Sequence, residues 1–117
     1  MEEMIIRPIG SITIDEDGMS VKLDKKYAPA LAGLEGFSHL QVFWWFDGCD
    51  NEECRSRLFE ESPYKGSPKT LGTFATRSPE RPNPLALSCA QITYIDKENA
   101  VIGLAYIDAN PGTPVLD

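Results

Sequence analysis

Hydrophobic and polar residues along this chain follow a short, strand-like pattern that glycine and proline interrupt at close intervals. No long stretch keeps the 3.6-residue period of an amphipathic helix, so the pattern predicts a mostly β domain. The predicted strands are residues 5–14, 20–23, 40–46, 70–76, 86–95 and 101–107. Two short helices are predicted, at residues 27–34 and 51–59.

Two of the predicted connections between strands contain residues that are typical of turns. Asp15-Glu16-Asp17-Gly18 separates the first two strands, and its glycine is free to adopt a positive φ. Residues 96–99, with the sequence Asp-Lys-Glu-Asn, similarly separate the last two strands. Each pair of strands is therefore predicted to form a hairpin.

Two of the predicted strands are apolar on both faces. Residues 41–46 and 101–107 lack the alternation expected of a sheet with one wet side, so one face meets the core and the other meets something else. That second surface is either a helix of the same chain or a partner subunit. Because so little helix is predicted, the pattern favours a subunit interface and hence a homodimer.

Composition places the chain among ordinary globular proteins. Its 117 residues suffice for one domain with a core, predicted to span residues 1–117, and 25% are charged and 42% apolar. There is no run of about 18 apolar residues and no basic-then-apolar N-terminus. The expectation is a cytoplasmic protein with no membrane span.

The net charge of −7 argues against a protein that grips nucleic acid with its whole surface. However, six of the eleven basic residues lie between Arg55 and Arg81, and only Lys97 follows them. Two interpretations remain open. This stretch forms a local basic face, or its charges are solvated and balanced by nearby acids.

The cysteines predict no metal site. Cys49, Cys54 and Cys89 are not in Cys-x-x-Cys spacing, and His39 is the only histidine. Reduced, structural cysteines are expected. His39 follows Ser38 at the start of an apolar strand, where a structural role is favoured over that of a catalytic base.

The most informative segment is GTFATRSPERPNP, residues 72–84. Its three prolines fix φ and hold the preceding residues in extended or turn conformations. Arg77 and Arg81 are therefore expected to present their guanidinium groups on a rigid loop, which suits recognition of a carboxylate or phosphate. The alternative is a proline-rich connection whose arginines pair with neighbouring acids.

This segment resembles the signature of the TrmO-like, or TsaA-like, family of S-adenosylmethionine-dependent tRNA methyltransferases with a β-barrel fold. A second family block matches residues 108–117, DANPGTPVLD, and weaker similarity extends through residues 34–40 and 8–10. The resemblance implies a small single-domain β-barrel with one or two short helices. The matching residues of the first block are Gly72, Phe74, Arg77, Ser78, Arg81, Pro82 and Asn83.

The resemblance also implies a cofactor site. In this family S-adenosylmethionine lies in a pocket at a dimer interface, so the chain is expected to bind this cofactor as a homodimer. Arg77 suits the cofactor's carboxylate, and Asp108 suits its ribose hydroxyls or its ammonium group. The cofactor-binding residues carried over are Arg77, Leu87, Asp108, Ala109, Asn110 and Pro111.

The implied reaction is methylation of the N6 amine of threonylcarbamoyladenosine at position 37 of tRNA. Such a displacement needs donor and acceptor held in line, and a group that takes the proton of the amine. The candidates for that group are Asn83 and Asp117, although Asn83 between two prolines equally suits a turn residue bonded to its own backbone. The residues expected to contact tRNA are Arg81, Lys65 and Lys69.

The chain departs from the family pattern in several places. Thr73 replaces a small aliphatic residue, Asp47-Gly48 stands where many members have His-Gln, and the loop between Ile14 and Lys22 is shorter. The family continues beyond the position of Asp117 with a segment that is expected to help bind tRNA. The alternatives are therefore a non-catalytic S-adenosylmethionine- or nucleotide-binding module, or an interaction protein that assembles through its apolar faces.

Overall fold

The computed structural model describes residues 2–61, 65–66 and 69–117, and the mostly β fold predicted from the sequence is confirmed. The described residues include one four-residue α-helix, α1 (Glu52–Arg55), and 3₁₀ turns at Lys25–Leu31, Leu34–Gly36, Asp47–Cys49 and Thr73–Ala75. The strands are β1 (Gly10–Asp15), β2 (Gly18–Leu23), β3 (His39–Trp45), β4 (Phe59–Glu61), β5 (Thr70–Gly72), β6 (Leu85–Asp96), β7 (Val101–Leu104) and β8 (Pro114–Val115).

The chain divides into two compact units. The first, called here the barrel unit, runs up to Trp45 and resumes at Leu87–Asp117; the second, called the loop unit, is Phe46–Ala86. Six strands close into a barrel in the order β1-β2-β7-β6-β3-β8. The strands β4 and β5 form a separate antiparallel pair in the loop unit.

Both predicted hairpins are present. β1 pairs with β2 from Gly10 opposite Leu23 to Asp15 opposite Gly18, and the Asp15 carboxylate accepts from the backbone N–H of Asp17 at 2.8 Å. β6 pairs with β7 up to Asp96 opposite Val101. The core of the barrel unit lies between these strands and is formed by Ile12, Val21, Val42, Ile102, Leu104, Ile107 and Val115.

The outer face of β7 is covered in part by its own chain. A side chain at Gly103 would collide with the ring of Tyr94, its neighbour across the β6–β7 pair, so the ring occupies the space that the glycine leaves. Leu104 and Trp44 are buried on the same sides of their strands as the core residues Ile102 and Val42. At Gly103, the ring of Tyr94 covers part of the opposite face of β7.

Several predicted boundaries are wrong. β1 begins at Gly10 rather than at residue 5, because Pro8 has no N–H to donate and the segment before it is exposed. The helix predicted at 51–59 ends at Arg55, and Phe59 instead begins β4 opposite Gly72. The strand predicted at 70–76 ends at Gly72, where a 3₁₀ turn begins.

Candidate functional site

The loop after β7 carries four of the residues expected to contact the cofactor. Along it the chain alternates between buried and exposed positions: Ile107 and Ala109 are buried, and Asp108 and Asn110 are exposed. The backbone N–H of Ile107 donates to the thioether sulfur of Met19 at 3.2 Å. Two buried anchors therefore fix the loop and turn Asp108 and Asn110 outward.

A tight turn closes the same loop. The carbonyl oxygen of Asn110 accepts from the N–H of Thr113 at 3.2 Å, and the N–H of Gly112 donates to the carbonyl of Ile12 at 2.8 Å. Gly112 has a φ of +83°, a conformation that glycine adopts without strain. This turn, which also holds exposed Pro111, is thereby attached to β1.

Three side chains from different parts of the barrel unit form a hydrogen-bonded chain. The indole Nε1–H of Trp44 on β3 donates to Ser88 Oγ on β6 at 2.9 Å, and the Ser88 hydroxyl donates to Asp108 Oδ1 at 2.7 Å. Leu87, which precedes Ser88, is 43% exposed. Leu87 and the Asp108 loop, both expected to contact the cofactor, are thus linked through Ser88.

The other candidate in the barrel unit is Asp117, which follows β8 in the chain. Its carbonyl accepts from the N–H of Phe43 at 2.9 Å, and its N–H donates to the carbonyl of Phe43 at 3.3 Å. The residue is exposed. The backbone of Asp117 is therefore fixed beside β3.

In the loop unit, Arg77 is exposed as expected. Its Nη2 donates to the carbonyl oxygen of Leu85 at 2.6 Å. Its guanidinium has no ion pair among residues 2–61, 65–66 and 69–117. Arg77 is thus a surface cation held at one end by the backbone.

Arg81 does not present its guanidinium at the surface as the sequence suggested. Its side chain is buried, and Nη1 donates to the carbonyls of Thr76 and Ser78 at 3.1 and 3.3 Å. Burial, together with the nearby charge of Arg77, lowers the pKa of Arg81. Arg81 therefore organises the proline-rich segment from inside it.

Asn83 is tied to α1. Arg55 Nη1 donates to the carbonyl of Pro82 at 3.0 Å and to Asn83 Oδ1 at 3.3 Å, while Arg55 Nε pairs with Asp50 at 2.9 Å. The amide oxygen of Asn83 is therefore already an acceptor for a cation. This contact differs from both sequence interpretations, a proton acceptor and a turn residue bonded to its own backbone.

The remaining cations of the loop unit differ in their partners. Arg57 pairs with Glu80 at 3.5 Å across an exposed surface. Lys65 and Lys69 are exposed, and no ion pair involves them within the part of the chain that the structure describes. The net charge of the loop unit, with six basic and seven acidic residues in its sequence, is close to neutral.

The cysteines are all reduced: Cys49 and Cys54 are partly buried, and Cys89 is exposed. Burial and a hydrogen bond with Cys54 raise the pKa of Cys49. Within residues 2–61, 65–66 and 69–117, no group of three or more His, Cys, Asp or Glu side chains is placed to hold a metal ion. The same residues contain no helix with the length and hydropathy of a membrane span.

The predicted site residues are thus divided between the two units. The barrel unit holds the exposed loop with its carboxylate, and the loop unit holds the arginine-proline segment. Ser88 was missed by the sequence analysis, because a serine within an apolar strand carries no signal until its neighbours across the sheet are known. The barrel unit's members are Leu87, Asp108, Ala109, Asn110, Pro111 and Asp117, and the loop unit's are Lys65, Lys69, Arg77, Arg81 and Asn83.

Comparison with known proteins decides the family. The family model of the tRNA-methyltransferase O N-terminal domain matches residues 3–117, nearly the whole chain. The chain belongs to this family. The resemblance found in the two motifs, at residues 72–84 and 108–117, is thereby confirmed.

Relatives and a solved structure extend this result. A human tRNA (adenine(37)-N6)-methyltransferase is 39% identical over 88 residues, which are 75% of this chain and 19% of the human protein. A probable S-adenosyl-L-methionine-binding protein of Pyrococcus horikoshii is 33% identical and aligns with 99% of this chain and 81% of its own length. The crystal structure of TrmO from Pseudomonas aeruginosa matches with a TM-score of 0.73 at 26% identity, over 99% of this chain and 54% of that one. The chain therefore spans only part of the human protein and of TrmO, but most of the archaeal protein.

Proposed function

We propose that this chain binds S-adenosylmethionine and acts as a methyltransferase on the N6 amine of threonylcarbamoyladenosine at position 37 of tRNA. The family assignment and the human relative support this activity. The observation that carries it is the Asp108 loop, an exposed carboxylate on a fixed turn inside the second family block.

The residues of the barrel unit suit this cofactor. S-adenosylmethionine offers ribose hydroxyls and an ammonium group as hydrogen-bond donors, and Asp108 offers a carboxylate that accepts from such donors. Leu87 is a partly exposed apolar side chain, which suits contact with a ring. Asn110 and Pro111 are exposed beside Asp108 and are proposed to contact the adenine.

In the loop unit, Arg77 is proposed to pair with the cofactor's carboxylate through its planar guanidinium. The hydrogen bond from Nη2 to Leu85 fixes one end of that guanidinium. A fixed cation loses little conformational entropy when it binds an anion. Arg77 is therefore proposed as a contact, and Arg81 as the residue that supports its segment.

When bound, S-adenosylmethionine supplies the methyl group. The chain's own residues hold the reactants in line and take the proton of the amine. Of the two candidates for this role, Asp117 has an exposed carboxylate, whereas the oxygen of Asn83 already accepts from Arg55. We therefore propose that Asp117 accepts the proton of the amine and that Asn83 helps to orient the amine.

The tRNA is proposed to contact the exposed lysines of the loop unit, Lys65 and Lys69. With five basic and eleven acidic residues, the sequence of the barrel unit is far more acidic than that of the loop unit. Phosphates avoid acidic surfaces and bind where lysine and arginine neutralise them. This difference supports the loop unit as the tRNA-facing part.

A homodimer in the cytoplasm is also proposed. Its support is the family resemblance and a set of large apolar side chains exposed on the barrel unit, including Ile5 and Phe37. Light scattering at micromolar concentration is expected to give about twice the chain mass of 13.0 kDa. A mass equal to that of one chain would remove this part of the proposal.

A second candidate is a non-catalytic S-adenosylmethionine-binding module. The observation that favours it is the Pyrococcus protein, which is named for binding the cofactor and of which the chain covers 81%. Both candidates share the cofactor and differ in methyl transfer.

Calorimetry with S-adenosylmethionine tests what the two candidates share. The wild-type chain is expected to bind, and Asp108→Ala is expected to bind about 10-fold or more weakly because a charge-assisted hydrogen bond is lost. Glu98→Ala, which removes another exposed carboxylate from the barrel unit, is the matched control and is expected to leave affinity unchanged. If the wild type gives no heat of binding, both candidates fail.

A further inference from the structure

The chain of hydrogen bonds through Ser88 has a fixed direction. The Trp44 indole has one N–H and no acceptor, so Ser88 Oγ accepts from it. The single Ser88 hydroxyl proton is then available for the carboxylate of Asp108, which only accepts. Trp44, which is buried on β3, thereby orients the Ser88 hydroxyl on β6 toward the exposed carboxylate of Asp108.

We propose that Ser88 is a positioning residue for ligand binding. It holds Asp108 Oδ1 so that the other oxygen, Oδ2, faces a hydrogen-bond donor of the bound ligand. The ligand group is an O–H or N–H donor, supplied by either a ribose hydroxyl or an ammonium group. This inference rests on the proposed function and names a residue outside both family motifs.

The exposure of the three side chains argues for a role beyond folding. Trp44 is only 5% exposed, so its N–H needs a protein acceptor, and Ser88 satisfies that need. The second hydrogen bond, from Ser88 to Asp108, is made to an exposed carboxylate that water would otherwise solvate. The fold alone does not require this second bond.

The carboxylate is held at one oxygen and open at the other. Ser88 is the one partner of the Asp108 side chain among residues 2–61, 65–66 and 69–117, and it binds Oδ1. A carboxylate with one oxygen fixed has a restricted orientation before the ligand arrives. Restricting it beforehand reduces the entropy lost on binding and strengthens the contact made by Oδ2.

The first test is a mutant cycle measured by calorimetry with S-adenosylmethionine. Ser88→Ala is expected to weaken binding about 5-fold, and Ser88→Thr, which keeps the hydroxyl, is expected to restore most of it. In an Asp108→Ala background, Ser88→Ala is expected to cause no further loss, because the two residues act as one unit. An equal loss in both backgrounds would overturn the proposal.

A second pair of variants separates positioning from packing. Ser88→Ala leaves the buried Trp44 N–H without this acceptor and is expected to lower stability. Adding Trp44→Phe removes that donor and is expected to recover stability without recovering affinity. If affinity returns together with stability, Ser88 serves the fold and the positioning role is wrong.

Nuclear magnetic resonance supplies a readout that needs no Ser88 variant. The indole N–H resonance of Trp44 is expected to shift in Asp108→Ala, because Ser88 loses its acceptor and reorients. Addition of S-adenosylmethionine to the wild type is expected to shift the same resonance. A resonance unmoved by both changes would contradict the coupling.

Two ligands identify the donor. If the donor belongs to the ribose, Ser88→Ala weakens the binding of S-adenosylmethionine and of 5′-methylthioadenosine by the same factor, since both ligands contain the sugar. If it is the ammonium group, only S-adenosylmethionine is affected. Failure of the wild type to bind either ligand overturns the proposed function and this inference with it, whereas wild-type binding that is insensitive to Ser88→Ala overturns the inference alone.

Discussion

The guanidinium of Arg81 lies over the ring of Phe74, with its central carbon 5.9 Å from the ring centroid. The two side chains differ in exposure, since Arg81 is buried and Phe74 is 78% exposed. The same guanidinium donates to the carbonyls of Thr76 and Ser78. One buried cation thus joins the turn that carries Phe74 to the segment that follows it.

Replacing Arg81 is expected to destabilise the protein. Arg81→Ala removes hydrogen bonds from a charged donor to two carbonyls as well as the contact with Phe74, and the expected loss is about 1.5 to 3 kcal/mol in the free energy of unfolding. Urea denaturation measures it. Arg77→Ala, which removes an exposed arginine from the same segment, is the matched control and is expected to lose less than about 1 kcal/mol. Equal losses in the two variants would show that the buried contacts of Arg81 do not contribute to the stability of the protein.

The thiol of Cys49 is expected to react slowly. Because burial and the hydrogen bond with Cys54 raise its pKa, its thiolate fraction at neutral pH lies below that of an ordinary thiol. Iodoacetamide at pH 7 is therefore expected to label exposed Cys89 before Cys49, and labelling of Cys49 is expected to accelerate as the pH rises. Peptide mass mapping gives the order. Cys54→Ala should speed the labelling of Cys49, and an unchanged rate would show that Cys54 does not influence it.

Local patterns predicted the elements whose partners are close in sequence. The β1–β2 hairpin followed from Asp15 to Gly18, and that turn is present. β8 was missed because two residues, one of them proline, carry no strand signal, and their pairing with β1 and β3 depends on distant contacts. The helix predicted at 51–59 was too long for the same reason, since Phe59 pairs with Gly72.

The candidate site shows a similar limit. The two motifs identified the family and therefore the segments that matter, and Arg77 and Asp108 are exposed within them as expected. Charged residues are usually exposed, so no sequence pattern predicted the burial of Arg81. Its burial depends on the carbonyls of Thr76 and Ser78, whose directions only the folded backbone defines.

Arg77 is expected to contribute to cofactor affinity without contributing much to the fold. Arg77→Ala is expected to weaken S-adenosylmethionine binding by one to two orders of magnitude, which corresponds to about 1.5 to 3 kcal/mol for a charge-assisted pair. Arg77→Lys keeps the charge but not the planar guanidinium, and its affinity for the cofactor is expected to lie between those of the wild type and of Arg77→Ala. Calorimetry measures all three, and unchanged affinity in Arg77→Ala would reject this assignment.

Lys65 and Lys69 are expected to contact phosphates of the tRNA. Replacing both by Ala is expected to weaken tRNA binding and to flatten the dependence of log affinity on log salt by roughly two units, because two fewer counterions are released. Filter binding over a range of salt concentrations measures this slope. Lys25 and Lys26, exposed in the barrel unit, provide a double Ala control that is expected to keep the wild-type slope. A slope unaltered by the loss of Lys65 and Lys69 would remove them from the tRNA surface.

Transfer of labelled methyl from S-adenosylmethionine to tRNA tests the central claim most directly. Tritium is expected to enter tRNA that carries threonylcarbamoyladenosine and not the same tRNA without that modification. Asp117→Ala is expected to reduce the rate by about 100-fold or more if its carboxylate takes the proton. If modified tRNA remains unlabelled while calorimetry shows that the cofactor is bound, the chain is a binding module and not the methyltransferase proposed.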